Sequence, residues 1–431
     1  MGWIDSLYRS EIGWTTLESL ADLTHRMPGS EGEQRGANLV EDKFSKLGLR
    51  NVRQEPFPIT RWERIGSSLR ANGTEFNCIG LPRSPSRSAT GELVDLGYGL
   101  PGDFESANID DSIALVEAGV PDYYGRYVHR REKYYRAVEH GAAGFIYYQH
   151  SPGQLAPTGS VGKSEQAIGP IPALGVSQET GKRLARKSTG DSVEISVNAE
   201  ISQTESQNIH AAIGPKTDRR LLVTAHVDGH DIGQGAADNA AGVATVLEIA
   251  HALTHREDEL DIGVECIVFG AEEVGLVGSS YEAEARDTTP YAVVNCDSVV
   301  ASQELEINTN QYDCLQDPIR DTEADLGQRI TVNPRIIPHS DHWPFVAQGT
   351  PGLMASAKTD KARGWGHTAA DTFDKLSQRN LRDQSILLSE LTVRLATSSY
   401  PLARKDPDSI AEALEEQGIA TGLRVTGDWP F

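Results

Sequence analysis

The chain has 431 residues, a length that suggests two domains, and its 38% hydrophobic and 24% charged residues are ordinary for a globular protein with a sizeable core. The formal net charge is −22, with 11 lysines against 29 arginines, so we expect neither nucleic acid nor an anionic membrane as a partner. No apolar run approaches about 18 residues and residues 1–13 lack the features of a signal peptide, so we predict a cytoplasmic protein.

The N-terminal segment predicts a helix followed by a strand. In EGEQRGANLVEDKFSKLG, residues 31–48, the apolar residues fall on one helical face and the helix is predicted to end at Gly48. NVRQEPFPI, residues 51–59, is predicted to be a strand. We assign these elements to a main domain built from residues 1–62 and 206–431.

Residues 63–205 differ in character and predict a smaller inserted α/β domain. SIALVEAG, residues 112–119, is predicted to be a buried strand. REKYYRAVEHGAAGFIYY, residues 131–148, predicts a helix, a glycine break and a strand, and IPALGVSQETGKRLA, residues 171–185, predicts a strand and a capped helix. This domain lacks the histidine and carboxylate clusters of the rest of the chain.

After residue 205 buried strands alternate with helices. The strands are predicted at residues 221–226, 262–269 and 291–300, and helices at 242–253 and 379–398. Continuous apolar strands that alternate with helices are typical of a mainly parallel sheet covered on both faces. The predicted fold class is therefore α/β, a helix-sandwiched sheet with a smaller inserted domain.

Polar residues follow the predicted strands at their carboxyl ends, where such sheets bind ligands. The first strand ends at His226 with Asp228 just beyond, the second is followed by Glu272 and Glu273, and the third ends near Asp297. Two further candidates lie in loops, each before a helix: Asp238 and His367.

Each of these residues alone has an ordinary structural explanation, such as a hydrogen-bonded His-x-Asp pair, a solvated Glu-Glu turn or an aspartate N-cap. At one sheet edge, however, so many carboxylates would repel each other unless cations held them together. Two histidines and three carboxylates fit two divalent metals that share one carboxylate, and zinc takes nitrogen and oxygen ligands. The adjacent Glu272 and Glu273 can supply one ligand and one general base, although the spacing does not decide which is which.

Several motifs resemble the co-catalytic di-zinc exopeptidases, which include bacterial leucyl aminopeptidases and glutamate carboxypeptidases. The strings that carry the resemblance are HRMPGSEGEQRGA, HVDGHDIGQGAADNAAG, FGAEEVGLVGS, NCDSV, SDHWPF and GHTAADTFDKL. EHGAAGFIYY and IPALGVSQETG resemble the protease-associated domain that is often inserted in this family. The resemblance implies a zinc-aminopeptidase fold, a mixed sheet with a parallel centre between helices, with the inserted domain at residues 63–205.

The resemblance also implies roles for individual residues and a cofactor of two Zn²⁺ ions. It assigns His226 and Asp297 to one zinc, Glu273 and His367 to the other, and Asp238 as the bridge. It makes Glu272 the general base and Asp228 the residue that orients the imidazole of His226. It also selects His226 over His230 as the ligand.

The expected function is a metallo-exopeptidase with a peptide substrate, and we favour an aminopeptidase. The alternatives are a carboxypeptidase or dipeptidase that grips a terminal carboxylate with Arg363, a metal-free receptor-like relative, and a small-molecule amidohydrolase. Asp341 and His342 in SDHWPF are predicted near the substrate. His230, Asp231 and His339 could lie either in the substrate pocket or at the surface. The oligomeric state also stays open, and a homodimer is one option.

Overall fold

The computed structural model describes residues 2–23, 25–163, 165–359 and 363–431. The α-helices of these residues are α1 (Trp3–Arg9), α2 (Ile12–Ala21), α3 (Glu31–Lys46), α4 (Pro101–Ser106), α5 (Arg130–Glu139), α6 (Gln178–Ser188), α7 (Ala241–Thr254), α8 (Val277–Ala285), α9 (Gln316–Leu326), α10 (Trp343–Ala347), α11 (Gln378–Leu395), α12 (Pro407–Glu416) and α13 (Ile419–Thr426). None of these helices is both long and apolar enough to cross a membrane.

The strands of the same residues are β1 (Arg50–Ala71), β2 (Thr74–Phe76), β3 (Ile79–Gly80), β4 (Arg87–Asp95), β5 (Ile113–Glu117), β6 (Gly144–Tyr148), β7 (Ala173–Val176), β8 (Ser192–Ile213), β9 (Arg220–His226), β10 (Gly263–Phe269), β11 (Ala292–Cys296), β12 (Leu305–Asn308), β13 (Ile330–Asn333) and β14 (Gly352–Ala357). The strands predicted at 221–226 and 262–269 correspond to β9 and β10. The third predicted strand ends earlier than expected, at Cys296.

The chain divides into two compact units. The first unit comprises Met1–Ile59, Thr204–Asp360 and Asp371–Ile410, and the second comprises Thr60–Gln203, Lys361–Ala370 and Ala411–Phe431. From the sequence we predicted a main domain of residues 1–62 and 206–431 with residues 63–205 inserted, and these bounds stay a prediction. Residues 363–370 and 411–431 group with the second unit.

The sheet of the first unit has the strand order β13-β12-β14-β11-β9-β10-β8. Strands β14, β11, β9 and β10 run parallel to one another at its centre. Strand β8 pairs antiparallel with β10 through residues 209–213, and β12 pairs antiparallel with β14. The mixed sheet with a parallel centre, which was predicted from the sequence, is thereby confirmed.

Helices cover both faces of this sheet because its central strands are apolar on both sides. On one face the almost fully buried α7 packs on β9 and between α2 and α11. On the other face Phe269 of β10 and Phe345 of α10 belong to one core cluster with Ala283 of α8. Polar side chains that follow these strands therefore gather at the strand ends.

The second unit has its own sheet and core. Strands β4, β5, β6 and β7 run parallel, with β8 antiparallel to β4 and β3 antiparallel to β7. Tyr134 of α5 packs edge-on against Phe145 of β6, with ring centroids 5.5 Å apart, inside a buried cluster. The C-terminal α13 packs on α5. Just after α13, Asp428 accepts a hydrogen bond from Arg131 of α5 at 3.1 Å.

Candidate metal centre

Three neighbouring parallel strands of the first unit deliver polar side chains to one edge. His226, the last residue of β9, lies in register with Phe269, the last residue of β10. Glu272 and Glu273 follow β10 after a short turn, and Asp297 directly follows β11. Because these strands are adjacent, their carboxyl ends bring an imidazole and several carboxylates together, as the sequence predicts.

His226 is buried and faces several carboxylates. The side chain is 1% exposed, and its Nδ1 lies 3.2 Å from the backbone carbonyl oxygen of Asp228. When the ring is neutral, that acceptor keeps the proton on Nδ1 and leaves Nε2 free to bind a metal. Nε2 lies 3.4 Å from Asp238 Oδ1 and 3.9 Å from Asp297 Oδ1, and within the described part of the chain it makes no hydrogen bond.

The carboxylate of Asp228 fixes the turn that carries the two glutamates. Its Oδ1 accepts a hydrogen bond from the backbone N–H of Glu272 at 3.1 Å, and its Oδ2 accepts one from Glu273 at 3.0 Å. The backbone carbonyl of Asp228 lies 3.2 Å from Nδ1 of His226 and can accept a hydrogen bond from it, and Oδ1 of the Asp228 carboxylate lies 3.4 Å from the same nitrogen. The orienting role that the resemblance implies for Asp228 stays a prediction.

Asp238 lies in the turn before α7, and Asp371 holds its backbone. The two carboxylate oxygens of Asp371 accept hydrogen bonds from the N–H groups of Ala237, at 2.8 Å, and Asp238, at 3.0 Å. The Asp238–Asn239 peptide bond is cis. The Asn239 side chain donates a hydrogen bond to the carbonyl of Cys296 at 2.9 Å, which ties this turn to the end of β11.

Glu272, His226 and Asp297 form a group whose ligand atoms lie within 4.8 Å of one another. Burial raises the pKa of Glu272 well above its usual range, and the charge of Asp341 adds to that rise while His226 opposes it. Burial lowers the pKa of His226, but Glu272 and the surrounding aspartates outweigh burial and raise it well above its ordinary value. Burial is the main cause of the first shift, whereas the second reports the negative charge of the surrounding carboxylates.

His230 is a member of the centre that the sequence left open between pocket and surface. It is 7% exposed, and its Nε2 lies 2.8 Å from Oε2 of Glu273. The surface position is therefore wrong for His230. The His-x-x-x-His spacing in the sequence offered a signal, but only the path of the loop after β9 shows that the second ring meets Glu273.

Two buried charged residues near the N-terminus support the centre, and the sequence assigned no role to either. Arg26 donates hydrogen bonds to the carbonyls of Val227 at 2.9 Å and Gly235 at 2.8 Å, and so holds the loop after β9. Glu33 accepts a hydrogen bond from the N–H of Ala271 at 3.1 Å. Burial, together with the charge of Asp228, raises the pKa of Glu33 to about 8.

Asp341 and His342 are both fully buried, next to α10. Burial raises the pKa of Asp341 to about 7, although the charge of His226 opposes the rise. Burial lowers the pKa of His342 to about 3, so this ring is neutral at physiological pH. The pKa of Asp341 therefore depends on the charges of His226, Asp228 and Asp297 at the strand ends. His339 and Asp231 are partly buried.

His367 and Arg363 lie in the segment 363–370, which groups with the second unit. The carbonyl of His367 accepts a hydrogen bond from the N–H of Thr158 at 2.8 Å, and its φ is 52°. The guanidinium of Arg363 lies over the indole of Trp365, 4.7 Å from the ring centroid. The proposed roles of these two residues, zinc ligand and carboxylate anchor, stay predictions.

The residues at this edge fit divalent metal ions of the zinc type. The donors are imidazole nitrogen and carboxylate oxygen, which zinc prefers. The buried Nε2 of His226 lies near two carboxylates without a hydrogen bond to either, and with a neutral ring this arrangement is repulsive unless a cation lies among them. The carboxylates that raise the pKa of His226 would be neutralised by the same cation.

Two family models match the chain. Residues 208–392 match peptidase family M28, and residues 89–184 match the PA domain. The first match contains His226, Glu272, Asp297 and the other strand-end residues, and the second lies within the predicted inserted domain.

Relatives align with most of the chain. It is 26% identical over 401 residues to aminopeptidase YwaD of Bacillus subtilis, an alignment that spans 89% of this chain and 84% of that protein. It is 25% identical over 431 residues to leucine aminopeptidase 2 of Trichophyton rubrum, which spans 91% of this chain and 84% of that protein.

Solved structures share the fold. A peptidase M28 precursor from Shewanella amazonensis superimposes with a TM-score of 0.76 at 23% identity, over 94% of this chain and 97% of that chain. A structure described as a zinc aminopeptidase from Bacillus subtilis superimposes with a TM-score of 0.71 at 24% identity, over 92% of this chain and 98% of that chain.

Proposed function

We propose that the chain is a di-zinc metallo-exopeptidase that releases N-terminal residues from peptides, because residues 208–392 match peptidase family M28 and residues 89–184 match the PA domain. The observation that carries this proposal is the buried Nε2 of His226, which makes no hydrogen bond within the described residues and lies among the carboxylates at the ends of β9, β10 and β11. The names of the relatives, aminopeptidase and leucine aminopeptidase 2, favour the amino-terminal polarity.

The ligand assignment follows the resemblance. His226 and Asp297 would hold one ion, Glu273 and His367 the other, and Asp238 would be the shared ligand. Two bound divalent ions would supply Lewis acidity toward a scissile carbonyl and a water molecule. The backbone of Asp228 orients His226, and Asp371 sets the position of Asp238.

Glu272 acts as the general base in this proposal. Asp228 fixes its backbone, so its position is set by β9 and β10 together. Its buried carboxylate accepts the proton of the attacking water and then donates that proton to the leaving amine. Burial supports this role because it raises the proton affinity of the carboxylate above that of a solvated glutamate.

The experiment is a mass-spectrometric time course on the zinc-loaded protein with an unblocked peptide of five different residues. We use high salt, because a net charge of −22 produces self-repulsion that salt screens. Stepwise mass loss from the N-terminus is the expected result. Loss from the C-terminus would contradict the polarity and would call for an Arg363→Gln variant, whereas no loss from a protein that holds two zinc ions would contradict the peptide substrate.

A further inference from the structure

A second group of metal-ligand side chains lies in the first unit, away from the strand-end centre. Glu55 of β1, His210 of β8 and Glu282 of α8 present ligand atoms that lie within 4.8 Å of one another. His210 pairs in register with Ile267 of β10, five residues before Glu272 along the chain. The group therefore lies against the body of the sheet and is separate from its carboxyl edge.

The orientation of His210 points to a cation. The side chain is fully buried, and its Nδ1 lies 3.2 Å from Oε1 of Glu265. In a neutral ring, a carboxylate at Nδ1 holds the proton there and leaves Nε2 as the lone pair with which a histidine binds a metal. Within the described residues, the buried Nε2 makes no hydrogen bond.

The distances around Nε2 match the spacing of zinc ligands. Nε2 lies 3.4 Å from Oε2 of Glu55 and 3.6 Å from Oε2 of Glu282. Tetrahedral zinc with bonds of about 2.0–2.1 Å separates neighbouring ligand atoms by roughly 3.3–3.4 Å. The three atoms are therefore slightly too far apart for good hydrogen bonds and close to the separation that one shared ion produces.

Carboxylates outnumber arginines around His210. Glu55, Glu265 and Glu282 lie against the ring, while Arg53 lies 3.3 Å from Oε2 of Glu55 and Arg286 pairs with both Glu265 and Glu282. Three carboxylates against two guanidinium groups leave a negative charge that favours a cation beside the ring.

We propose that Glu55, His210 and Glu282 form an additional divalent-metal site of the zinc type, with Glu265 as the carboxylate that orients His210. Glu55 retains 31% side-chain exposure, which gives an ion access from solvent. A bound ion links β1, β8 and α8, so its role is to stabilise the part of the fold behind the catalytic edge. The proposal does not rest on the exopeptidase function.

The experiment counts zinc by elemental mass spectrometry on the full chain after equilibration with zinc and removal of free ion. Glu55→Gln is the test variant, because the residue is partly exposed and the change preserves shape. Glu284→Gln is the matched control, since Glu284 is an exposed glutamate on α8. We expect the wild type and Glu284→Gln to hold one zinc more than Glu55→Gln, and the melting temperature of the wild type to fall when that zinc is removed.

The same comparison in an Asp238→Ala background separates this proposal from the proposed function. There the catalytic ions are lost, and we expect one zinc in Asp238→Ala and none when Glu55→Gln is added. Glu282→Gln provides a second test should Glu55→Gln fail to fold. Equal zinc content in the wild type, Glu55→Gln and Glu282→Gln would overturn the additional site whatever the catalytic edge binds.

Discussion

Oδ1 of Asp228 accepts a hydrogen bond from the backbone N–H of Glu272 at a distance of 3.1 Å. The other oxygen accepts the N–H of Glu273 at 3.0 Å, so one buried carboxylate beyond β9 sets the turn that follows β10. Glu272 is the proposed general base and Glu273 the proposed metal ligand. The conformation of this turn sets the position of both. Asp228 therefore contacts His226 through its backbone carbonyl and positions Glu272, the proposed proton acceptor, through its carboxylate.

We predict that Asp228→Asn weakens catalysis and metal binding together. An asparagine offers one carbonyl oxygen, and its NH₂ group would face one of the two N–H donors, so one hydrogen bond is replaced by a repulsive contact. Loss of such an orienting partner typically costs about 10–100-fold in metal affinity or activity. Zinc titration and kcat measurements test this, and values within twofold of the wild type for both would contradict it.

Glu272→Gln and Glu273→Gln form a matched pair of adjacent, isosteric changes. We expect Glu272→Gln to retain both zinc ions and to lose about 10²–10⁴-fold in kcat, because an amide cannot accept the proton of the attacking water. We expect Glu273→Gln to lose one zinc ion. Elemental analysis beside kcat decides the assignment, and the reverse pattern would exchange the two roles.

Asp238→Ala is predicted to remove both zinc ions together, since its carboxylate is the proposed shared ligand. Asp258→Ala serves as the control because Asp258 is an exposed aspartate of the same first unit. Loss of only one ion from Asp238→Ala, with the control fully loaded, would show that Asp238 binds a single ion and does not bridge.

The fold of the first unit could be predicted from the sequence because its parallel strands are mostly apolar. LLVTAH and IGVECIVF are long enough apolar runs to be recognised, and the rule for strand ends then locates the centre. Strands β1 and β8 were harder, since each runs for 22 residues with many exposed positions, and only 51–59 was predicted as strand. The helices α12 and α13 escaped prediction, and α13 packs on α5, far away in the sequence.

The strand-end residues of the centre could also be predicted, but the residues that hold their backbone in place could not. Asp371 was quoted within a motif, yet its hydrogen bonds to Ala237 and Asp238 join positions more than 130 residues apart. Arg26 reaches the loop after β9 across about 200 residues in the same way. His210 lies in an apolar run that resembles an ordinary strand, and its glutamate neighbours come from three other elements.

We predict that Asp371→Asn weakens metal binding although Asp371 is not a proposed ligand. The carboxylate accepts two adjacent backbone N–H groups, and an asparagine can accept only one without repulsion. The expected loss in zinc affinity is roughly 10–100-fold. Asp374→Asn, an exposed aspartate three residues later, is the control, and equal zinc affinities for the two variants would argue against a role for Asp371.

Lys133 in the second unit makes stability depend on pH. Its side chain is fully buried, and Nζ donates hydrogen bonds to the carbonyls of Glu117 at 2.7 Å and Gly119 at 2.8 Å. Burial lowers the pKa of Lys133 from 10.5 to about 7, despite the opposing charge of Glu117. Between these pH values the unfolded chain binds a proton that the folded chain does not, so this group makes stability rise with pH from about 7 to about 10.5.

Lys133→Met is therefore predicted to flatten the pH dependence of unfolding. One group titrating between these limits contributes at most about 1.4 kcal/mol per pH unit to the free energy of unfolding, and methionine removes that contribution. Urea unfolding of the second unit at pH 7.5 and 9.5 measures it, with Lys182→Met, an exposed lysine on α6, as control. We expect the wild type and Lys182→Met to gain stability over this interval relative to Lys133→Met, and three parallel profiles would mean that Lys133 stays charged in the folded protein.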